Sequence, residues 1–121
     1  MRDSRLKSCT TVSDVILFDQ KAVAVFSMGG KFCFDSHGSG ETGNWKVNPS
    51  KLKNIEKVLV YLRKPGESGG RIYIGDYMGY KLSEQKGRMI IIFSKLEEVC
   101  QTQSKWNKFA KTGSSPVRYI N

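Results

Sequence analysis

A chain of 121 residues supports one domain with one core. Its twenty Lys and Arg against eleven Asp and Glu give a formal net charge of +9, which points to a polyanion or an acidic protein as partner. No apolar run approaches the ~18 residues that cross a bilayer, and the first ten residues lack the apolar segment of a secretory signal, so neither a membrane partner nor export is expected. In chain order, residues 1–13 read as a polar N-terminal arm and 14–121 as a single β-rich domain. Two apolar runs, 14–18 (DVILF) and 21–27 (KAVAVFS), read as strands, the second buried on both faces. A helix over 12–26 is the alternative, because a short apolar run does not settle its own period.

A turn at 27–30 leads to a short strand at 31–34 with Phe32 and Phe34 on one face. Residues 35–43 hold three glycines and no large apolar side chain, so they are expected to form a surface loop. Asn48 and Pro49 suit the cap and first position of a short helix through about 54, with Leu52 and Ile55 inward. The stretch 57–93 organises the rest. Three runs rich in β-branched residues (KVLVYLR, RIYIGDYMGY, RMIIIF) are separated by polar loops with glycine, which reads as an antiparallel meander. Residues 94–99 are short and charged. Trp106, Phe109 and Ala110 fall at i, i+3, i+4 and make one stripe of a second helix over 104–111, with Ser104 as cap and Gly113 as stop. A closing strand comes last, at 115–120. The fold class is therefore α+β, mostly β: a strongly bent antiparallel sheet or small β-barrel with two short helices.

Charge is unevenly placed. Residues 1–40 balance at +1 and residues 41–121 at +8, so the basic field belongs to the meander and the C-terminal segment. Strand alternation puts Tyr73 and Tyr77 opposite Ile72 and Ile74. If the isoleucines face the core, the tyrosines stand exposed beside Arg63, Arg71 and Lys81, able to stack bases while the cations hold phosphate. Trp45 with Lys46, after the glycine-rich segment, could wall an aromatic pocket. Cys9, Cys33 and Cys100 are odd in number and widely spaced. With no CxxC or Cys/His cluster, they read as ordinary buried or half-buried thiols in a reducing compartment, the cytoplasm. His37 has no nucleophile or orienting partner fixed by spacing, and Glu97 and Glu98 are no poised acid/base pair. No catalytic residue, metal or cofactor is expected.

Two family resemblances arise. Val60-Tyr61 followed by Tyr73-Ile74-Gly75 resembles the paired motif of GIY-YIG nucleases, which implies a helix with a catalytic Arg after the second tyrosine and a later metal-binding Glu. Arg88 and Glu97 are the stand-ins, and the first motif lacks its Gly. The wider layout is similar to the PUA-like small barrels (ASCH, EVE and YTH domains). It consists of Trp45-Lys46-Val47-Asn48-Pro49, a short helix, then the hairpinned 58–61 and 72–75. That resemblance implies RNA or modified-base DNA bound in a basic cleft, with Trp45 in an aromatic pocket and Lys46, Arg63, Arg71 and Arg88 on phosphates. The sequence thus favours a non-catalytic nucleic-acid-binding module built on Trp45, Lys46, Arg63, Arg71, Tyr73, Tyr77, Lys81 and Arg88. The alternatives are a metal-dependent nuclease and a protein-interaction module, as of a phage or mobile element, with an acidic partner.

Overall fold

The computed structural model describes residues 7–113 and 115–120. The strands are β1 (Lys7–Ser8), β2 (Ala22–Ser27), β3 (Lys31–Phe34), β4 (Gly40–Trp45), β5 (Lys57–Leu62), β6 (Gly70–Leu82), β7 (Met89–Thr102) and β8 (Val117–Ile120). One α-helix, α1 (Trp106–Ala110), and two 3-10 turns, Val12–Asp14 and Pro49–Leu52, complete the elements. All eight strands form one sheet in the order β3-β4-β7-β6-β5-β2-β8, with β1 beside β7.

The hydrophobic pattern explains why the interior strands read as they do. β2 lies between β5 and β8, so both of its edges are paired, and a core on each face leaves Ala22, Val23, Ala24 and Val25 fully buried. Alternation divides the central strands between two cores. Val23, Val25, Val58, Val60 and Tyr73 point to one side with Leu52, Ile91 and Phe93. Ala22, Ala24, Leu59, Tyr61 and Ile72 point to the other, under Val12, Ile16, Trp106 and Phe109. A five-residue helix has too few internal hydrogen bonds to stand alone. α1 is held by its apolar stripe, which packs Trp106 and Phe109 edge-on against Tyr61 at 5.7 and 5.6 Å. Gly70 admits this packing, since a Cβ there would collide with the Tyr61 ring.

The sheet curls strongly, as expected. Phe32 and Phe34 of β3 meet Tyr73 of β6 with ring centroids 5.5 and 5.9 Å apart. In a flat sheet, three strand spacings would separate them by ~14 Å. The bend comes from β6 and β7, whose register shifts near Tyr73, Asp76 and Gly79, with Lys95 of β7 at φ 54°. The first half of β7 pairs with β4 and its second half with β1.

Several expectations need correction. The sheet is mixed and not purely antiparallel: β2 pairs with β5, and β1 with β7, in parallel. The connection from β2 to β5 carries the β3–β4 hairpin and the 49–52 turn, long enough for a parallel return. The sheet is open, not a barrel, with β3 and β8 at its edges. Residues 14–18 are not a strand, because Val12 and Ile16 lie on one side of a 3-10 turn and cap a core. The expected loop at 35–43 is a turn followed by β4, whose small residues let β3 approach closely. Residues 94–99 belong to the continuous β7. Of the polar arm, residues 1–6 lie outside the described residues, while 7–13 are part of the fold: Cys9 and Val12 are buried. The two expected helices are one 3-10 turn at Pro49–Leu52, capped by Asn48 Oδ1 accepting from Ser50 N, and α1. α1 begins after Lys105 without a side-chain cap and ends at Lys111 in the left-handed conformation. The cysteine expectation fails for all three. Cys9 and Cys100 form a disulfide with Cα atoms 6.0 Å apart, and Cys33 is exposed. The β1–β7 ladder places Lys7 opposite Cys100 and so brings Cys9 beside Cys100, which a separation of 91 residues conceals.

Candidate functional site

The eight expected site residues do not converge. Trp45 is buried, and its indole N–H donates to Thr42 Oγ1 at 3.2 Å. Tyr73 is buried against Phe32 and Phe34. The premise that only one face of β6 is core is wrong, since the curl of β3 and β4 covers the tyrosine side as well. Tyr77 is half-buried against the same core. Burial, the largest influence, pushes the Tyr73 and Tyr77 phenols above their ordinary pKa; Glu98 adds to the effect at Tyr73 and Tyr80 at Tyr77.

Two of the expected phosphate-binding cations are engaged. Arg71 Nη2 is 2.8 Å from Glu67 Oε2, and its Nη1 is 3.9 Å from Glu98. Lys81 lies 3.1 Å from Glu41, which Lys31 approaches from the other side at 3.4 Å. The hydrogen bond from Lys81, then that from Lys31, holds the Glu41 carboxyl below its usual range. Arg88 is half-buried, with Nη1 3.5 Å from the Asn44 carbonyl. Lys46 and Arg63 are exposed. Arg63 and Arg71 stand at one end of the β5–β6 pair, and Lys46, Lys81 and Arg88 at the other. Arg71 and Lys81 are ten residues apart along β6, roughly 33 Å of chain at the usual rise.

The nuclease resemblance does not carry over in structure. Tyr73 and Gly75 are buried, and β6 runs unbroken to Leu82 where the family places its helix. Among the described residues, no group of three His, Cys, Asp or Glu is placed to hold a metal ion. His37 sits in an exposed turn in which Asp35 Oδ1 accepts from the His37 and Ser39 backbone N–H groups at 2.9 and 3.0 Å. Those two bonds, that from Ser39 with the larger effect, lower the Asp35 pKa and commit its carboxylate to the turn.

A different cluster of cations is assembled. The Tyr61 hydroxyl donates to the Ser104 carbonyl at 2.5 Å, tying the end of β5 to the start of α1. Burial raises the Tyr61 pKa, and the positive charge of Arg63, two residues further along the chain, works against that rise. Trp106, Phe109 and Ala110 point inward, leaving Lys105, Lys108 and Lys111 exposed. Arg63 and Lys64 follow β5 and Lys105, Lys108 and Lys111 lie on and beside α1, so five exposed cations surround the two elements that the Tyr61–Ser104 bond joins. None of them has a carboxylate within ion-pair distance among the described residues. Sequence reasoning named only Arg63 of this group. For the three lysines on and beside α1 the signal was present, since the inward stripe of that helix leaves them outward.

Two other surface features are compensated. A cavity of about 520 Å³ beside β1 is lined by Lys7, Lys57, Lys95, Asp14, Asp76 and Glu97, equal numbers of each sign, with Lys57 2.7 Å from Asp76. Among the described residues, the outer edge of β6 beyond Asp76 has no strand beside it, and Met78, Tyr80 and Leu82 are exposed there. Lys81 within that segment, and the register shift at Gly79, are the usual means of discouraging a further strand from adding. Comparison with protein-family models, curated proteins and solved structures finds no match to this chain.

Proposed function

We propose that this protein is a non-catalytic nucleic-acid-binding module that grips phosphates through the flank of Arg63, Lys64, Lys105, Lys108 and Lys111. One observation carries this. Eighteen Lys and Arg lie among the described residues, the chain's twenty less Arg2 and Arg5, and only Lys31, Lys57, Arg71 and Lys81 of these are in ion pairs there. The fourteen others leave a field that a polyanion neutralises with release of its counterions. With Trp45 and Tyr73 inside the cores, base stacking by those rings is no part of the proposal. Affinity comes from phosphate contact and is largely indifferent to sequence.

The test is fluorescence anisotropy of a labelled oligonucleotide, as single strand and as duplex, across a salt series. Binding should weaken linearly in log–log form as salt rises. The triple variant Arg63→Ala/Lys105→Ala/Lys108→Ala should lower the slope by about 2 to 3, at ~0.7–0.9 for each phosphate no longer neutralised. Failure to bind any oligonucleotide at low salt, or a slope untouched by the triple variant, refutes it.

A further inference from the structure

On the α1 side of the sheet, where β8 forms an edge, lies a cavity of about 250 Å³. Its walls are apolar: Val12, Ile16 and Ile120 belong to the core beneath it. Two cations reach into this setting, Arg118 of β8 and Lys111 at the end of α1, and among the described residues no carboxylate lines it. Arg118 stands opposite Ala24, a position that directs its side chain to the same face as Ile120. Among the described residues, Arg118 Nη1 is the one buried side-chain nitrogen or oxygen with no hydrogen-bond partner.

A guanidinium nitrogen withdrawn from water and left unbonded is costly, and the second cation lining the cavity, Lys111, does nothing to compensate it. Asp14, the carboxylate on which the charge of Lys111 acts, does not relieve this. Lys111 contributes to the low pKa of Asp14, but the main causes are the Thr10 and Thr11 backbone N–H groups, which donate to Asp14 Oδ2 at 2.8 and 3.1 Å. That carboxylate is thus turned toward its own backbone. An arrangement of two cations, apolar walls and the Ser13 side chain suits a compact anion with oxygens on several sides. Arg offers a planar fork and Lys a point charge, a pairing that matches a doubly charged phosphoryl group better than a single carboxylate. The volume is below the ~300 Å³ at which drug-sized ligand sites begin, so a terminal group fits where a whole nucleotide would not.

We propose that this cavity is a phosphate-monoester site in which Arg118 and Lys111 take a terminal phosphoryl group. The site adjoins the basic flank through Lys111. Its use on a nucleic-acid end rests on the proposed function, whereas its affinity for phosphate itself does not. The phosphoryl group has two possible sources: a 5′-phosphorylated strand end or a small phosphate ester.

The experiment has two arms on the full chain. In the first, sodium phosphate is titrated against sodium chloride at matched ionic strength and thermal unfolding is followed. Phosphate should raise the Tm by roughly 5 °C near saturation. Arg118→Met should abolish that response while keeping or raising the Tm in chloride, because it removes a buried nitrogen that has no hydrogen-bond partner. Should that variant fail to fold, Lys111→Asn, which tolerates the left-handed cap, should weaken the phosphate response about tenfold. In the second arm, 5′-phosphorylated and 5′-hydroxyl forms of one oligonucleotide are compared, the former expected to bind at least tenfold tighter. A phosphate effect with equal oligonucleotide affinities keeps the site and assigns it to small phosphate esters. A phosphate effect without oligonucleotide binding keeps the site and removes the nucleic-acid function. Equal binding of both oligonucleotides with no phosphate-specific stabilisation overturns the site and leaves the function standing.

Discussion

The Cys9–Cys100 disulfide gives the most exacting prediction of the architecture. Among the described residues β1 contributes two residue pairs to the sheet, so the cross-link and the burial of Val12 and Ile16 do much to fasten the segment from residue 7 over the α1-side core. The bond joins residues 91 apart. Closing so long a loop restricts the unfolded chain by about 4.6 kcal/mol in the chain-entropy treatment, and measured effects often fall below that figure. Against a total of ~6–18 kcal/mol for a domain of this size, the loss is large. Cys9→Ser/Cys100→Ser, compared with the oxidised protein by urea unfolding, should move the midpoint by roughly 2 M for an m-value of ~2 kcal/mol per M. Reductant should move the parent protein the same way and leave the double variant unaffected. Alkylation of the unreduced, denatured protein should modify Cys33 alone. Modification of all three cysteines, or a midpoint shift below about a quarter of that expected, would refute the reasoning.

Two further outcomes follow from the packing. Phe109 is fully buried and touches Tyr61 edge-on, so Phe109→Ala should cost ~3–5 kcal/mol and release α1, seen as a red shift of tryptophan fluorescence as Trp106 meets water; a cost under ~1 kcal/mol would mean that the helix is not held as described. The phenols of Tyr61, Tyr73 and Tyr77 are all raised by burial above the ordinary value of 10.0. Because the unfolded chain then loses those protons first, their contribution to stability is intact below pH ~10 and is lost as pH rises through the folded values. Ultraviolet titration of tyrosinate alongside unfolding at alkaline pH checks this, and ionisation of all five tyrosines at the free value would contradict it.

The sequence held much of the local structure because those features depend on neighbours in the chain. The β2 run, the β5 to β7 meander, the Asn48-Pro49 cap and the inward stripe Trp106, Phe109, Ala110 are all set by side-chain period, turn residues and capping chemistry. The excess of positive charge, and its place after residue 40, is likewise a property of composition. Position in space is another matter. Whether one face of β6 or both would be covered turned on how far β7 bends, and that decided that Trp45 and Tyr73 are core residues. Glu67 reaches Arg71 from four residues away, but the neutralisation of Lys81 depended on Glu41, and the second contact of Arg71 on Glu98, reaching across the sheet. The parallel partnership of β2 with β5, the meeting of Cys9 with Cys100, and the pairing of Arg118 with Lys111 around one cavity are all set by the tertiary path of the chain. Periodicity records which way a side chain faces along its own strand, but it carries no information on what the curled sheet brings against that face.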